Sequence, residues 1–245
     1  MTSASRILVS RSQGLNAPKA TSYADLDRRP RPLAVALRSG SVRSPRHRYS
    51  SGNGTLPDHA MQLSSFTPDA VLRGYFHAKD ENRPHLLDDV FTVDAELVIR
   101  NRSANIAFPA FTQGRSAVAE VLVRSFALSN ENVYSFYLGR PMPGVREFAC
   151  PWLVGMSERS SGHVRVGCGT YEWAFEPHAP HMASRLVVTI EAMQVLPLTE
   201  SGGVFAWLRA LNYPWSSAEA ALQSIPAHEL LSPIAQFLGR HIAVA

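Results

Sequence analysis

The sequence predicts an α+β domain in which helices pack on one face of a curved sheet. Apolar residues recur at helical spacing in the first part of the body, from about residue 67 to residue 128, and period-two alternation takes over after Asn130. A block of helices followed by a block of strands is typical of α+β domains, whereas α/β domains alternate the two. Apolar residues make up 45% of the chain, a normal fraction for a protein with a real core.

Three helices are predicted before the long strands. Thr67 caps the first, and Asn82 and Pro84 open a short second one. The third follows Gly114. Their inward stripes are Val71, Leu72, Tyr75 and Phe76; Leu86, Leu87, Val90 and Phe91; and Val118, Val121, Leu122 and Phe126. This assignment places Arg73, His77 and Asp80 on the outer side of the first helix.

One strand is predicted among the helices and four after them. The first is DAELVIR, Asp94 to Arg100, followed by a loop or irregular strand over 101–113. The later strands cover 132–138, 147–157, 163–176 and 184–196, and the loops GRPMPG, SERSSG and EPHAPHMA separate them. Beyond Pro197 the pattern predicts short helices that pack on the body.

The first 60 residues differ in composition from the rest. They carry ten Lys or Arg against three Asp, while the whole chain has a net charge of +4, so the body is mildly acidic. Ser, Arg, Pro and Gly dominate the segment, which predicts disorder. We favour a non-functional extension with translation starting at Met61; an organelle transit peptide and a basic nucleic-acid-binding arm are the alternatives. Tyr23 and Tyr49 alone could stack on bases, which disfavours nucleic acid.

The predicted organisation is a tail over 1–60, a domain over 61–197 and a helical extension over 198–245. No apolar run approaches the roughly 20 residues that a membrane span needs, so we expect a soluble, cytoplasmic protein. Cys150 and Cys168 fit two reduced thiols. No phosphate-binding loop or metal motif is present, and we expect no cofactor. His85, Asp88 and Asp89, and the pair His178 and His181, are interpreted as solvated.

The run YFHAKDENRPHLLDDVFTVDAELVIR, followed by GRSAVAEVLVRSF, resembles the nuclear transport factor 2-like superfamily. That superfamily includes SnoaL-like polyketide cyclases, ketosteroid isomerase and scytalone dehydratase, and the resemblance covers about residues 66–197. It implies a cone: a curved antiparallel sheet wrapped around N-terminal helices, with a pocket for a small, largely apolar molecule. It also implies homodimerisation through the outer face of the sheet.

Tyr75 is the first candidate catalytic residue. It matches the first-helix tyrosine that donates to the substrate oxyanion in ketosteroid isomerase, and a phenol in an apolar cavity is a preorganised donor. The alternative is a core tyrosine with a locally satisfied hydroxyl. The isomerase also needs a carboxylate base, whose position falls on Ile99 in this sequence. Ile99 cannot abstract a proton, so the resemblance does not imply steroid isomerisation.

Strand alternation supplies the remaining candidates. Arg165, Tyr171 and Trp173 share one face of their strand with Gly167 and Gly169, whose missing side chains indicate a sheet bend or room for a ligand or neighbour. The candidate ligand-binding residues are Arg165, Tyr171 and Trp173, together with Phe76 and Trp152. Glu191 is a candidate acid–base partner of Tyr75 if it is buried in the cavity, where its pKa would rise. The alternative is an ion pair with Arg165 or Arg185.

Two hypotheses about function follow. In the first, the protein is a cone enzyme that transfers a proton on a small hydrophobic metabolite, as an isomerase, cyclase or dehydratase does. In the second, it is a non-catalytic ligand-binding or dimerisation module of the same fold. The missing carboxylate at Ile99 favours the second, and a polar pair lining one cavity favours the first.

Overall fold

The computed structural model describes residues 67–242. The predictions about the tail, including a start at Met61, lie outside the described residues and stay predictions. Within the described part of the chain, no helix combines the length and the apolar character that crossing a membrane requires. The cytoplasmic location also stays a prediction.

Helices lie at both ends of the described chain. Helix α1 covers Pro68–Asp80, and the Thr67 side chain accepts from the Ala70 amide at its start. A 3-10 helix covers Pro84–Asp89. Helix α2 consists of Arg115–Ala119, a π-helical turn over Glu120–Arg124, and Ser125–Ser129. After a 3-10 turn at Leu198–Glu200 come α3 (Ser201–Ala210), α4 (Ala218–Gln223), a 3-10 turn at Glu229–Leu231, and α5 (Ser232–Arg240).

The six described strands form one curved sheet. They are β1 (Phe91–Asn101), β2 (Phe111–Gln113), β3 (Asn130–Tyr137), β4 (Glu147–Glu158), β5 (Val164–Phe175) and β6 (Ala183–Leu196), in the order β2-β1-β6-β5-β4-β3. The predicted α+β class and the four long strands are confirmed. The sheet is mixed rather than purely antiparallel, because β1 runs parallel to β6 with Leu97 opposite Leu186. Strand β1 also begins earlier than predicted, at Phe91.

The inner, concave face of the sheet packs against α1 and α2. Tyr75 and Phe76 of α1 are both almost fully buried, and Val118, Leu122 and Phe126 of α2 lie in the same core. The predicted helical stripes are therefore the inward faces. Rings dominate the contact: Phe76 stacks on Tyr137 with centroids 3.9 Å apart, and Trp173 lies edge-on to Tyr75 at 5.2 Å.

The outer face of the sheet carries a second core, which the three C-terminal helices cover. Residues 198–242 bury Trp207, Leu208, Ile234 and Phe237 against this face. The sheet residues beneath them are Phe136, Leu153, Val164, Val166, Cys168 and Leu196, and Leu138, just beyond β3, belongs to the same core. Part of the surface through which the resemblance implies dimerisation is thus covered by the chain itself. Homodimerisation stays a prediction, and it would have to use surface outside this core.

The segment between α3 and α4 closes the edge of the sheet at β3. The Tyr137 amide donates to the Pro214 carbonyl, and the Ser216 amide donates to the Tyr137 carbonyl, both at 2.9 Å. Trp215 stacks on Tyr137 with centroids 4.8 Å apart. The guanidinium groups of Arg73 and Arg140 each lie 5.6 Å from the Trp215 ring. These contacts satisfy part of the edge strand and fasten α1 to it.

Gly167 and Gly169 make room for neighbouring groups, one of the two roles the sequence suggested. A Cβ at residue 167 would collide with the Met193 side chain, and a Cβ at residue 169 would collide with the Thr189 carbonyl and the Trp152 ring. The obstacle at Gly169 includes backbone, which cannot turn aside as a flexible side chain can.

We therefore expect Gly169→Ala to destabilise the protein by about 1–3 kcal/mol, because the added methyl group forces β5 and β6 apart. Urea unfolding followed by circular dichroism measures this change. The matched control is Gly203→Ala on α3, where a Cβ meets nothing within 4 Å and alanine favours the helix. Equal stability of the two variants would show that the space at Gly169 is not needed.

Candidate functional site

A small apolar cavity lies between the helices and the concave face of the sheet. Its volume is about 50 Å³. Apolar side chains from α2, from β1, β4 and β6, and from the segment between β1 and β2 form most of its wall, and Tyr75, Lys79, Trp152 and Tyr171 supply the polar groups. Ile99 also lines this cavity, at the position where the resemblance implies a carboxylate base. The inner cavity therefore has an apolar wall where the isomerase mechanism needs a proton acceptor.

A larger pocket of about 390 Å³, the mouth pocket, adjoins the inner cavity. Ile106, Phe108 and Phe126 line both spaces and separate them. Ile106 and Phe108 belong to the segment between β1 and β2, and both are half-buried. The mouth pocket also contains polar groups from Ser125, Glu158 and Arg165 and their neighbours. Access to the inner cavity therefore depends on the two side chains of this segment.

Tyr75 and Tyr171 both line the inner cavity, where their rings pack edge-on with centroids 6.1 Å apart. Burial raises the pKa of Tyr75 well above its ordinary value of 10.0; the neighbouring Tyr171 hydroxyl acts in the opposite direction, and the charge of Asp80 raises the pKa further. Burial likewise raises the pKa of Tyr171. Both hydroxyls therefore keep their protons, and the role of Tyr75 as a donor to a ligand stays a prediction.

The indole N–H of Trp152 has no hydrogen-bond partner although Trp152 is only 4% exposed. Its ring lines the inner cavity and stacks on Tyr171, with centroids 5.5 Å apart. A buried donor left without a partner costs about 1–3 kcal/mol. A ligand that carries a hydrogen-bond acceptor could remove that cost. Trp152 is thus a polar group of the cavity that the folded protein does not satisfy by itself.

Lys79 and Asp80 are the residues that the sequence reasoning missed. It placed Asp80 on the outer side of α1, and this was wrong: the exposed fractions of the two side chains are 8% and 5%. The Lys79 ammonium lies 2.6 Å from the Asp80 carboxylate and donates to Ser135 Oγ at 2.7 Å. A signal was present, because Lys79 follows Tyr75 by four residues and Asp80 follows Phe76 by four.

Asp80 is held by further donors besides Lys79. The Ser135 hydroxyl and amide donate to its two oxygens at 2.8 and 3.0 Å, and the Tyr213 hydroxyl donates at 3.5 Å. The ammonium group of Lys79 lies 5.1 Å from the Phe126 ring and 5.7 Å from the Phe76 ring. Both residues of the ion pair are thus buried, and Lys79 is the one that lines the inner cavity.

Only some of the predicted ligand-binding residues reach these spaces. Trp152 and Tyr171 line the inner cavity, and Arg165 lines the mouth pocket. The Arg165 guanidinium is paired with Glu158 at 2.9 Å and also donates to the Asn105 carbonyl. Phe76 and Trp173 lie behind the cavity in the aromatic core, where they pack on Tyr137 and Phe91.

The structure does not bring Glu191 into the cavity with Tyr75. Its side chain is 30% exposed, with one oxygen 2.8 Å from Arg102 and the other 4.0 Å from Arg240. Glu191 is the extra residue of a β-bulge, since Cys168 pairs with Ala192 while Gly169 pairs with Ile190. The bulge breaks the alternation on which the pairing hypothesis depended. Glu191 forms the ion pair that was the alternative, but with different arginines from those expected.

The charged groups of the second helix lie on the surface. His85, Asp88 and Asp89 are exposed, and Asp88 pairs with Arg115 at 3.1 Å. Among the described residues no group of three or more His, Cys, Asp or Glu side chains is placed to hold a metal ion. Cys150 and Cys168 are free and buried in different cores, and burial raises the pKa of each thiol to about 12.

Helices followed by long strands that curve around them are the arrangement implied by the nuclear transport factor 2-like resemblance, and the described residues have this arrangement. No family model matches the chain, and no curated protein matches it. Solved structures similar to it include a type 2 hexachlorocyclohexane dehydrochlorinase, LinA (12% identity, 57% of this chain, 93% of that chain, TM-score 0.45). A nuclear transport factor 2-like protein from Salmonella enterica serovar Typhimurium LT2 is also similar (14% identity, 55% of this chain, 94% of that chain, TM-score 0.42). So is a putative isomerase from Rhodopseudomonas palustris (14% identity, 56% of this chain, 93% of that chain, TM-score 0.40). These likenesses concern the fold alone.

The buried tyrosines predict a loss of stability at alkaline pH. Burial raises the folded-state pKa of Tyr75, Tyr137 and Tyr171 above 10.0, so the unfolded chain releases these protons first. The contribution of each tyrosine to stability is constant below about pH 10 and falls above it, by up to about 1.4 kcal/mol per pH unit. Urea midpoints measured from about pH 8 to 11, together with tyrosinate absorbance, test this. Ionisation of all three hydroxyls near pH 10 in the folded protein would contradict it.

Proposed function

We propose that the protein binds a small hydrophobic molecule that carries a hydrogen-bond acceptor, in the inner cavity of the cone. The observation that carries the proposal is the unpartnered indole N–H of Trp152 at an otherwise largely apolar cavity wall. Tyr75 and Tyr171 add two hydroxyls that keep their protons. Ligand sites in proteins usually combine an apolar lining with a few placed polar groups.

The ligand occupies the inner cavity together with space now filled by Ile106 and Phe108. The inner cavity alone measures about 50 Å³, whereas a cavity that binds benzene is about 150 Å³. Ile106 and Phe108 are half-buried and adjoin the larger mouth pocket. Their outward movement joins the two spaces, and the apolar part of the ligand then replaces the contacts that these side chains make.

A second candidate is proton-transfer chemistry without a cofactor, the first of the two hypotheses from the sequence. The ion pair of Lys79 and Asp80 favours it, because the Lys79 ammonium is a proton donor at the cavity wall. Ile99 counts against it, since the described wall offers no carboxylate in its place. Deuterium exchange at the methyl group of bound acetophenone, followed by NMR in D2O, separates the two: exchange no faster than in buffer supports binding without catalysis.

We expect ethylbenzene and acetophenone to raise the melting temperature of the full chain. A ligand at 100 times its dissociation constant adds about 2.7 kcal/mol, which corresponds to roughly 5–10 °C for a domain of this size. Ile99→Phe fills the inner cavity and should abolish the shift. The matched control on the same strand is Val93→Phe, because Val93 is 76% exposed.

Phe108→Ala provides a second variant that does not depend on overpacking the core. It removes one of the side chains between the inner cavity and the mouth pocket, so both ligands should bind at least as tightly as to the unmodified chain. Absence of any melting shift in the unmodified chain and in Phe108→Ala would overturn the proposed function.

A further inference from the structure

We propose that Lys79 is a ligand-binding residue and that the group it binds is the oxygen of a neutral carbonyl. The inference rests on the proposed function and specifies the chemistry of its ligand. Lys79 was not among the candidate residues found in the sequence, and its amine is the one charged group among the described residues that line the inner cavity.

The ammonium group of Lys79 can donate more hydrogen bonds than the protein accepts from it. An ammonium has three N–H donors. One donates to Asp80 and one to Ser135 Oγ, at 2.6 and 2.7 Å. Lys79 lines the inner cavity, its Nζ lies beside the rings of Phe126 and Phe76, and no third acceptor for the ammonium is present among the described residues. An acceptor atom of a ligand completes the group.

The neighbours of Lys79 in the cavity also offer hydrogen-bond donors. Trp152 offers an indole N–H with no partner, and the hydroxyls of Tyr75 and Tyr171 keep their protons. An indole N–H can only donate, and an ammonium can only donate. Trp152 and Lys79 are therefore matched by an acceptor, and the tyrosine hydroxyls can donate to one as well.

The charges of Lys79 and Asp80 disfavour a carboxylate ligand. Asp80 already neutralises Lys79 at 2.6 Å, and both side chains are buried. A carboxylate ligand would add a second negative charge beside Asp80 with no further cation among the described residues of the wall. Burying an unpaired charge is far more costly than burying a hydrogen-bonded neutral group. A ketone or aldehyde oxygen accepts from Lys79 without unbalancing the pair.

Asp80 and Ser135 act as positioning residues. They hold the amine from the side away from the cavity, through the hydrogen bonds that also fix the end of α1. Their role is to orient the ammonium group and its third donor. A hydrogen bond to a charged donor is stronger than one between neutral groups, so the carbonyl oxygen gains more from Lys79 than from Trp152.

The experiment compares three probes of similar size: ethylbenzene, acetophenone and benzoate. In the full chain we expect acetophenone to bind more tightly than ethylbenzene, and benzoate to bind most weakly. The double variant Lys79→Met with Asp80→Asn removes both charges together, so no buried carboxylate is left without its cation. It should weaken acetophenone binding by about 10- to 100-fold and leave ethylbenzene binding unchanged. Arg83→Met, at an exposed arginine just beyond α1, is the matched control.

A spectroscopic readout separates ligand contact from a merely structural role. The carbonyl stretching frequency of bound acetophenone should lie lower in the unmodified chain than in the double variant, because the ammonium polarises the C=O bond. Equal frequencies, or equal loss of affinity for ethylbenzene and acetophenone, would overturn the role of Lys79 while the proposed function stands. Tighter binding of benzoate than of acetophenone would overturn the neutral carbonyl. Failure of all three probes to bind would overturn the proposed function itself.

Discussion

The buried carboxylate of Asp80 is the interaction on which the geometry of the site depends. A carboxylate removed from water is tolerated only when donors surround it, and here Lys79, the hydroxyl and amide of Ser135, and Tyr213 fill that role. Their positions in the chain differ widely: helix α1, strand β3 and the segment after α3 must come together around one side chain. The end of α1 is thereby fixed, and with it the orientation of Tyr75 and Lys79 toward the cavity.

Burial on both faces gives the sheet its stiffness. The helices α1 and α2 pack on the inner face, and the C-terminal helices pack on the outer face with a core of their own. Strand β5 is consequently covered on both sides, with Tyr171 facing inward and Cys168 outward. The concave wall of the cavity therefore belongs to a sheet whose outer face is supported by the C-terminal helices. In the segment between β1 and β2, the side chains of Ile106 and Phe108 are half-buried, and hydrogen bonds at Asn105 connect this segment to β5 and β6.

Periodicity predicted the elements well because the apolar stripes of α1 and α2 and the alternation in β3 to β6 record which faces are buried. Three features escaped it. The bulge at Glu191 reverses the face of the residues after it, and nothing in the local sequence marks an inserted residue. Asp80 fits either side of α1 by spacing, and its donors are distant in sequence. The parallel pairing of β1 with β6 depends on the whole topology. The cavity wall at Tyr75, Trp152 and Tyr171 was predictable, whereas the Lys79 and Asp80 pair was not recognised.

The parallel pairing of β1 and β6 also sets the order in which the protein can form during translation. Roughly 90 residues separate Leu97 from its partner Leu186, so this contact contributes strongly to the contact order of the fold. At about 5–20 residues per second, β1 waits on the order of 10 s for the strand that it pairs with. Met193 of β6 is the last residue of the cavity wall to be synthesised, and the helices that cover the outer face come later still. The outer apolar face of the sheet therefore stays uncovered until the helices of residues 198–242 have been synthesised.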